Sequence, residues 1–349
     1  MKNQKRIRDY GVTIGNMKVG ERNAITDVDG VLVGHCTLND NNIKTGVTAL
    51  LPHKNNIFKD KLIAGSCIIN GFGKTTGLIQ LNELGTLETP IILTNTLSVG
   101  TAYEALVEYM LKENKDIGST TGTVNPIICE CNDGILNDIR GLHVKKEHVF
   151  EALKNVSEEF EEGAVGAGTG MCCLGLKGGI GTASRVFEIE KEKFTMGALV
   201  LANFGEGKRL TIDGKKTGVV IEKLLKENNN EIDKGSIIMI LATDLPLSSR
   251  QLNRICKRAS VGLGRVGSYY GNGSGDIVIG FSTANIIKHY EETASVNIKI
   301  LNENKIDSAF KAAAECVEEA ILNALICADT TIGRDKKERK SLKEFIEKI

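Results

Sequence analysis

Short, uninterrupted apolar runs limit most strongly how this chain can fold. The run from Ile237 to Ala242 is apolar at every position, and several other runs come close to it. A strand covered on one face alternates apolar and polar residues, whereas a continuously apolar strand is covered on both faces. The segments predicted as strands lie at 28–35, 61–70, 90–95, 125–130, 196–203, 236–242, 276–282 and 296–301.

Helical periodicity appears in fewer segments than strand-like runs do. The predicted helices lie at 102–114, 219–229, 249–261 and 307–327, and the last carries an apolar stripe suited to docking on a sheet. Helices and strands do not alternate regularly, which disfavours a doubly wound parallel sheet. The chain is therefore predicted to be a single α+β domain over 1–349, with sheets sandwiched between helical layers. The charged end, 336–349, is predicted to be a solvated helix or a partly ordered tail.

Composition argues against several classes of partner. The 44 basic and 44 acidic side chains cancel, and aromatic residues make up only 5% with no Trp, so neither nucleic acid nor an anionic membrane is an expected partner. No apolar run approaches the roughly 18 residues of a membrane span, and the N-terminus has no secretory apolar region. The nine cysteines follow no secreted framework, so buried free thiols are expected. These features predict a cytoplasmic protein.

Two glycine-rich motifs resemble nucleotide-binding loops but lack the necessary context. The GFGKTTG segment at 71–77 lacks the first glycine of a phosphate loop, since that position is Ile68. The GLGRVG segment at 262–267 follows a predicted helix where a dinucleotide site needs a strand. Both are predicted to be structural turns. Cys129 and Cys131 flank Glu130, but no second ligand pair completes a zinc site, so neither metal nor organic cofactor is expected.

The segment DKGSIIMILATD, at 233–244, allows two interpretations of Ser236. Gly235 and Ser236 could form an ordinary turn before a core strand. Alternatively, Ser236 could be a nucleophile exposed when the chain cuts itself before this residue. Its free α-amine, with an unperturbed pKa of roughly 7.7 to 8.0, could then act as its own base. The five histidines and the absence of a G-x-S-x-G elbow give little support to a Ser-His-Asp triad.

Other polar residues stand at strand ends where they could assist such a serine. Ser274 and Asp276 are two residues apart at the start of a predicted strand, so their side chains share one face. Asn203 ends another predicted strand, where its amide could donate to a developing oxyanion. Each also has an ordinary structural explanation. Ser-Gly-Asp is a common turn sequence, and Asn203 could simply begin the loop that leaves its strand.

Several long motifs extend along nearly the whole chain: RIRDYGVTIG, NAITDVDGVLVGH, TNTLSVGTAYEAL, ECNDGILNDIRG, VGAGTGMCCLGLKGGIGTASR, GSIIMILATDLPL, GSGDIVIGFSTAN and EEAILNALICADTTIGRD. In content and order these motifs resemble the L-aminopeptidase/D-esterase family, which includes the β-peptidyl aminopeptidases. The resemblance implies a four-layered αββα fold, related to that of other N-terminal-nucleophile hydrolases but differently connected. It also implies self-cleavage between Gly235 and Ser236 into associated chains, 1–235 and 236–349, and assembly into homotetramers.

The resemblance further assigns roles to individual residues. It implies that Ser236 is the nucleophile, that Ser274 and Asp276 support it, and that Asn203 helps to form the oxyanion hole. Glu130, in ECNDG, would bind the free amino group of the substrate. Some β-peptide-cleaving relatives have Glu at the position of Asp276, so this shorter side chain would act with less reach or through a water. Cys131 is expected to line the pocket.

The expected activity is hydrolysis of N-terminal residues from short peptides, amides or esters through an acyl-enzyme. Acyl transfer, as in the ornithine acetyltransferases that share a related fold and self-cleavage, is the alternative, although their nucleophile is threonine. A second alternative is an unprocessed, non-catalytic relative. The sequence does not indicate a preference between α- and β-peptides or between D- and L-residues.

Overall fold

The computed structural model describes residues 4–225 and 235–349, which contain two large sheets. The four-stranded sheet has the order β1 (Leu32–Asp40), β2 (Ile43–Leu51), β5 (Ile91–Asn95) and β6 (Ile127–Cys131). The six-stranded sheet has the order β4 (Thr86–Leu87), β3 (Asp60–Gly71), β12 (Gly275–Lys288), β11 (Ser236–Thr243), β10 (Glu192–Asn203) and β9 (Gly179–Ile189). Two short hairpins pair β7 (Cys172–Cys173) with β8 (Leu176–Lys177) and β13 (Thr331–Ile332) with β14 (Glu338–Arg339).

Helices cover the outer faces of both sheets. The described helices are α1 (Leu78–Leu84), α2 (Val99–Glu113), α3 (Lys146–Lys154), α4 (Thr217–Leu225), α5 (Ser249–Cys256), α6 (Ala259–Arg265) and α7 (Asp307–Cys327). Helices α2 and α3 contact the four-stranded sheet, while α5 and α7 contact the six-stranded sheet and α6 packs on α7. This arrangement confirms the predicted αββα layering.

Strands β10 and β11 divide their side chains between two hydrophobic cores. Val200 and Met239 point into the core beneath α7, whereas Leu201 and Ile240 join the core that includes the four-stranded sheet. Both faces of each strand are therefore buried. This explains why the segment 236–242 is apolar throughout.

Several predicted elements have different bounds in the structure. The predicted strand 296–301 is not a strand: its residues from 296 to 300 are exposed, and the side chain of Asn285 bonds the backbone of Lys299. The predicted helix 249–261 is interrupted between α5 and α6, and the part of the predicted helix 219–229 beyond residue 225 lies outside the described residues. The pattern did not reveal β2, β9, α1 or α3.

The C-terminal segment and the GLGRVG motif also differ from expectation. Residues 336–349 form a short strand and 3-10 turns rather than a solvated helix, and Leu342, Phe345 and Ile346 are buried. Most of GLGRVG lies within α6 rather than in a turn. A Cβ on Gly262 would lie 2.5 Å from the carbonyl oxygen of Ala314, so this glycine permits close packing of α6 on α7.

The cysteines and the helices agree with two simpler expectations. All nine cysteines are free, and all but Cys67 are buried. Among the helices described, none combines the length and apolar character that a membrane crossing requires.

Candidate active site

Ser236 lies at one end of the six-stranded sheet, where β10 ends and its neighbours β11 and β12 begin. It is the first residue of β11, directly opposite Asn203, the last residue of β10, in an antiparallel ladder. On its other side Ser236 pairs in parallel with Gly275, the first residue of β12. The Ser236 side chain is also within hydrogen-bonding reach of the Cys131 thiol, which comes from the four-stranded sheet. The serine is thus nearly buried between the sheets, with 5% exposure.

The peptide bond before Ser236 is tightly surrounded. The carbonyl oxygen of Gly235 accepts a hydrogen bond from the N–H of Gly275 at 3.3 Å. A Cβ at Gly235 would lie 2.2 Å from the carbonyl oxygen of Asn203 and 2.4 Å from the Cα of Phe204. Only glycine fits here without displacement of the neighbouring backbone.

Ser274 and Asp276 form a buried pair beside this strand edge. The Ser274 hydroxyl donates to Oδ1 of Asp276 at 2.8 Å, and both residues are almost completely buried. The shorter acid therefore contacts Ser274 directly, without a bridging water. The loop that carries Ser274 is held by Asn70, whose amide donates to the carbonyl oxygens of Gly271 and Ser274.

The Asn203 side chain is held on both sides in one orientation. Its Oδ1 accepts from the backbone N–H of Cys172 at 2.9 Å, and its Nδ2 donates to the carbonyl oxygen of Asn132 at 3.0 Å. An amide nitrogen carries two hydrogens. Among the contacts of the described residues, the second hydrogen has no assigned acceptor, which leaves it available to a ligand.

Glu130 lies on β6, across the gap from the serine. Its Oε1 accepts from the backbone N–H of Lys74 at 3.0 Å, and its Oε2 accepts from the hydroxyl of Thr96. Gly73 lies between Glu130 and β12. A Cβ on Gly73 would be 3.8 Å from Glu130 Oε1 and 3.8 Å from the Cα of Gly275, the first residue of β12. The structure therefore brings Glu130 close to the edge that carries the other predicted site residues.

Sequence reasoning missed the groups that hold Glu130. The GFGKTTG segment, predicted only as a turn, supplies the Lys74 N–H and is fastened to β6 by Thr76 through both its backbone and its hydroxyl. Thr96 follows β5, the parallel neighbour of β6. The pairing of β5 with β6 in the folded chain brings Thr96 to Glu130, and no spacing in the sequence indicates this contact.

Cys131 lines the site as a protonated thiol. Burial raises the pKa of Cys131 well above its ordinary value, and the charges of Glu130 and Asp276 raise it further, while the hydrogen bond with Ser236 lowers it. The effect of burial is the largest of these. A thiol in this state is a poor nucleophile, because the thiolate is the reactive form.

The chain is similar to known peptidases along most of its length. Peptidase family S58 matches residues 23–339. The β-peptidyl aminopeptidase BapA of Sphingosinicella microcystinivorans is 39% identical over 350 residues, which cover 94% of this chain and 87% of the relative.

Solved structures give the same result. The PH0078 protein from Pyrococcus horikoshii OT3 is 55% identical with a TM-score of 0.93, and the match covers 98% of each chain. The L-aminopeptidase D-Ala-esterase/amidase from Ochrobactrum anthropi, described as a prototype for the serine aminopeptidases and a variant of the Ntn hydrolase fold, is 37% identical with a TM-score of 0.88. That match covers 97% of this chain and 98% of the other. The chain belongs to peptidase family S58.

Proposed function

We propose that this chain is a self-processing serine aminopeptidase with Ser236 as its nucleophile. The observation that carries the proposal is the position of Ser236: it starts a buried strand between Asn203 and Gly275, opposite the buried carboxylate of Glu130. Family membership and the relatives named as aminopeptidases support the same reaction class.

Self-cleavage would begin with attack of Ser236 Oγ on the carbonyl carbon of Gly235. The C–N bond breaks as the Ser236 nitrogen takes a proton, which leaves Gly235 esterified to Oγ. The α-amine of Ser236 is free from this point, and water then hydrolyses the ester to give the Gly235 carboxylate and restore the Ser236 hydroxyl. The N–H of Gly275 already contacts the attacked carbonyl oxygen, where it can stabilise developing negative charge. The products are chains 1–235 and 236–349.

Gly235→Ala should slow this self-cleavage. The added methyl group would collide with the backbone of Asn203 and Phe204, and overpacking of this kind costs about 1–3 kcal/mol. If the scissile carbonyl shifts accordingly, processing should be roughly tenfold slower or more. Intact mass measured at intervals after purification gives the rate. Gly100→Ala is the matched control, because a Cβ there meets nothing within 4 Å and its processing should be normal. Equal rates for the two variants would contradict the expectation.

Hydrolysis of substrate would use the same edge of the sheet. The freed α-amine takes the proton of Ser236 Oγ as this oxygen attacks the first carbonyl of the substrate. The second N–H of Asn203 donates to the resulting oxyanion, and the Ser274–Asp276 pair supports the nucleophile and its amine. The leaving amine takes a proton, and water then hydrolyses the acyl-enzyme.

Glu130 would restrict substrates to those with a free amino group. A buried carboxylate held by two donors is preorganised to bind an ammonium ion and so to place the neighbouring carbonyl over Ser236. We therefore propose short peptides, amides or esters with a free N-terminus as substrates. The names of the relatives, which include β-peptidyl aminopeptidases and an L-aminopeptidase D-Ala-esterase/amidase, support this class.

Glu130→Gln should lower kcat/KM and reduce the preference for a free amine. Loss of a hydrogen bond to a charged group costs about 1.5–3 kcal/mol, which corresponds to roughly 10- to 100-fold in kcat/KM. The measurement compares an amino-acid p-nitroanilide with its N-acetyl derivative in both proteins. Glu88→Gln is the control, since Glu88 is equally buried but pairs with Lys61. An unchanged preference in Glu130→Gln would show that the amine binds elsewhere.

We also propose that processed chains form homotetramers in the cytoplasm. The exposed side chains of Val296, Ile298 and Ile300 form an apolar stretch of the kind that subunit contacts cover.

A further inference from the structure

Lys177 is completely buried, and among the described residues its hydrogen bonds go to carbonyl groups, while Asp133 lies near enough to act on it electrostatically. Within the described structure its Nζ donates to the carbonyl oxygens of Gly168, Met171 and Gly178, at 3.0, 2.8 and 2.7 Å. These three acceptors match the three hydrogens of an ammonium group, whereas a neutral amine has only two. Burial lowers the pKa of Lys177 to about 8, which still leaves the amine protonated at neutral pH. The reaction as described so far makes no use of this buried charge.

The Lys177 ammonium and the Asn203 side chain bind opposite ends of a single peptide unit. The carbonyl of Met171 accepts from Lys177 Nζ at 2.8 Å, and the N–H of the same peptide, on Cys172, donates to Asn203 Oδ1 at 2.9 Å. Cys172 and Lys177 are also cross-strand partners in the β7–β8 hairpin. The path from ammonium to Asn203 therefore contains one peptide group and two hydrogen bonds.

A cation bound to a carbonyl oxygen polarises the whole peptide and strengthens its N–H as a donor. A stronger donor holds Asn203 Oδ1 more firmly and fixes which end of the amide faces the Asn132 carbonyl. The polarisation continues through the Asn203 amide to its Nδ2 hydrogens, which gain positive charge. The same contacts thus orient the amide and improve it as a donor to an oxyanion.

We propose that Lys177 is a positioning residue of the oxyanion site and acts through the Met171–Cys172 peptide on Asn203. The inference rests on the proposed function, in which Asn203 binds the oxyanion. The effect of Lys177 should therefore appear in the chemical step rather than in substrate binding, because the oxyanion exists only in the transition state and the tetrahedral intermediate.

A double-mutant cycle tests this coupling. Lys177→Met keeps the aliphatic chain but removes the charge and the donors, and Asn203→Ala removes the amide. Both single variants and the double variant are assayed with an amino-acid p-nitroanilide, and kcat is normalised to the processed fraction measured by intact mass. We expect Lys177→Met to lower kcat roughly 10- to 100-fold with KM changed less than about twofold. In the Asn203→Ala background, Lys177→Met should have little further effect.

Controls separate this outcome from a general loss of structure. Lys61→Met removes another largely buried lysine, paired with Glu88 at the opposite end of β3 from the site, and kcat should not change. Lys177→Gln, which retains two hydrogens but no charge, should fall between Lys177→Met and wild type. Multiplicative effects of Lys177→Met and Asn203→Ala would overturn the inference, as would unchanged kcat in Lys177→Met or unfolding of both Lys177 variants. If Asn203→Ala alone leaves kcat intact, the oxyanion assignment itself fails.

Discussion

Ser236→Ala should give a single 37.7 kDa chain without peptidase activity. The substitution removes both the oxygen that would attack Gly235 and the oxygen that would carry the acyl group. Loss of a serine nucleophile typically lowers kcat by roughly 10⁴-fold or more. The wild-type protein should give two fragments under denaturing conditions that meet between Gly235 and Ser236. Intact mass and hydrolysis of an amino-acid p-nitroanilide measure the two effects together.

Ser282→Ala is the matched control for this experiment. Ser282 is buried in β12, pairs with Thr243 at the far end of β11, and donates to the carbonyl oxygen of Leu245. Its replacement should cost about 1 kcal/mol of stability and leave processing and turnover intact. Full peptidase activity in Ser236→Ala would rule out Ser236 as the nucleophile. Fragments of unchanged size in this variant would mean that another group, or a contaminating peptidase, cuts the chain.

Arg185→Met should strongly destabilise the protein without touching the proposed site. Arg185 on β9 is fully buried and donates to Glu315 and Glu319 of α7, each at 2.7 Å, and to the carbonyl oxygen of Ile14. Breaking a buried ion pair leaves its partners desolvated and costs about 3–5 kcal/mol. We expect the melting temperature to fall by roughly 4–7 °C in calorimetry, because the entropy of unfolding of a chain this long is large.

A surface arginine provides the comparison. Arg250 pairs with Glu303, but its side chain is 65% exposed, so Arg250→Met should cost less than about 1 kcal/mol. The Arg185 contacts join residues on both sides of the proposed cut. After processing, the two chains of Arg185→Met should therefore separate at a lower denaturant concentration than those of wild type. Equal stability of the two arginine variants would show that the buried network is not a major contributor.

Local patterns predicted the elements whose burial is uniform. The segment 236–242 matched β11 within one residue because both of its faces are buried, and 307–327 matched α7 because its periodicity is long and regular. Strand β9 remained hidden in a glycine-rich motif. A Cβ on its Gly181 would lie 2.0 Å from the carbonyl oxygen of Ala320, so this glycine reflects the close approach of α7. Close packing of this kind depends on the tertiary structure and produces no alternation of apolar and polar residues in the sequence.

Candidate site residues could be predicted where a residue's own side chain is suited to the proposed chemistry. Local pattern and family motif were enough to name five candidates: Ser236, Ser274, Asp276, Asn203 and Glu130. The groups that orient them could not be named in this way. Lys74 contributes only its backbone N–H, and Lys177 reaches Asn203 through a peptide group. Backbone groups are present at every position, so sequence cannot distinguish those that matter.

The strand order of the six-stranded sheet implies that the proposed cut changes how the protein can refold. Strands β11 and β12, from the 236–349 fragment, are inserted between β3 and β10, from the 1–235 fragment. Neither fragment can complete this sheet alone, so one continuous chain must assemble before it is cut. Once cut, the protein still unfolds as before, but its refolding becomes an encounter between two molecules. Recovery of the processed protein after denaturation would then depend on protein concentration. The uncut chain, by contrast, holds both parts of the sheet in one molecule, so its folding would not depend on concentration.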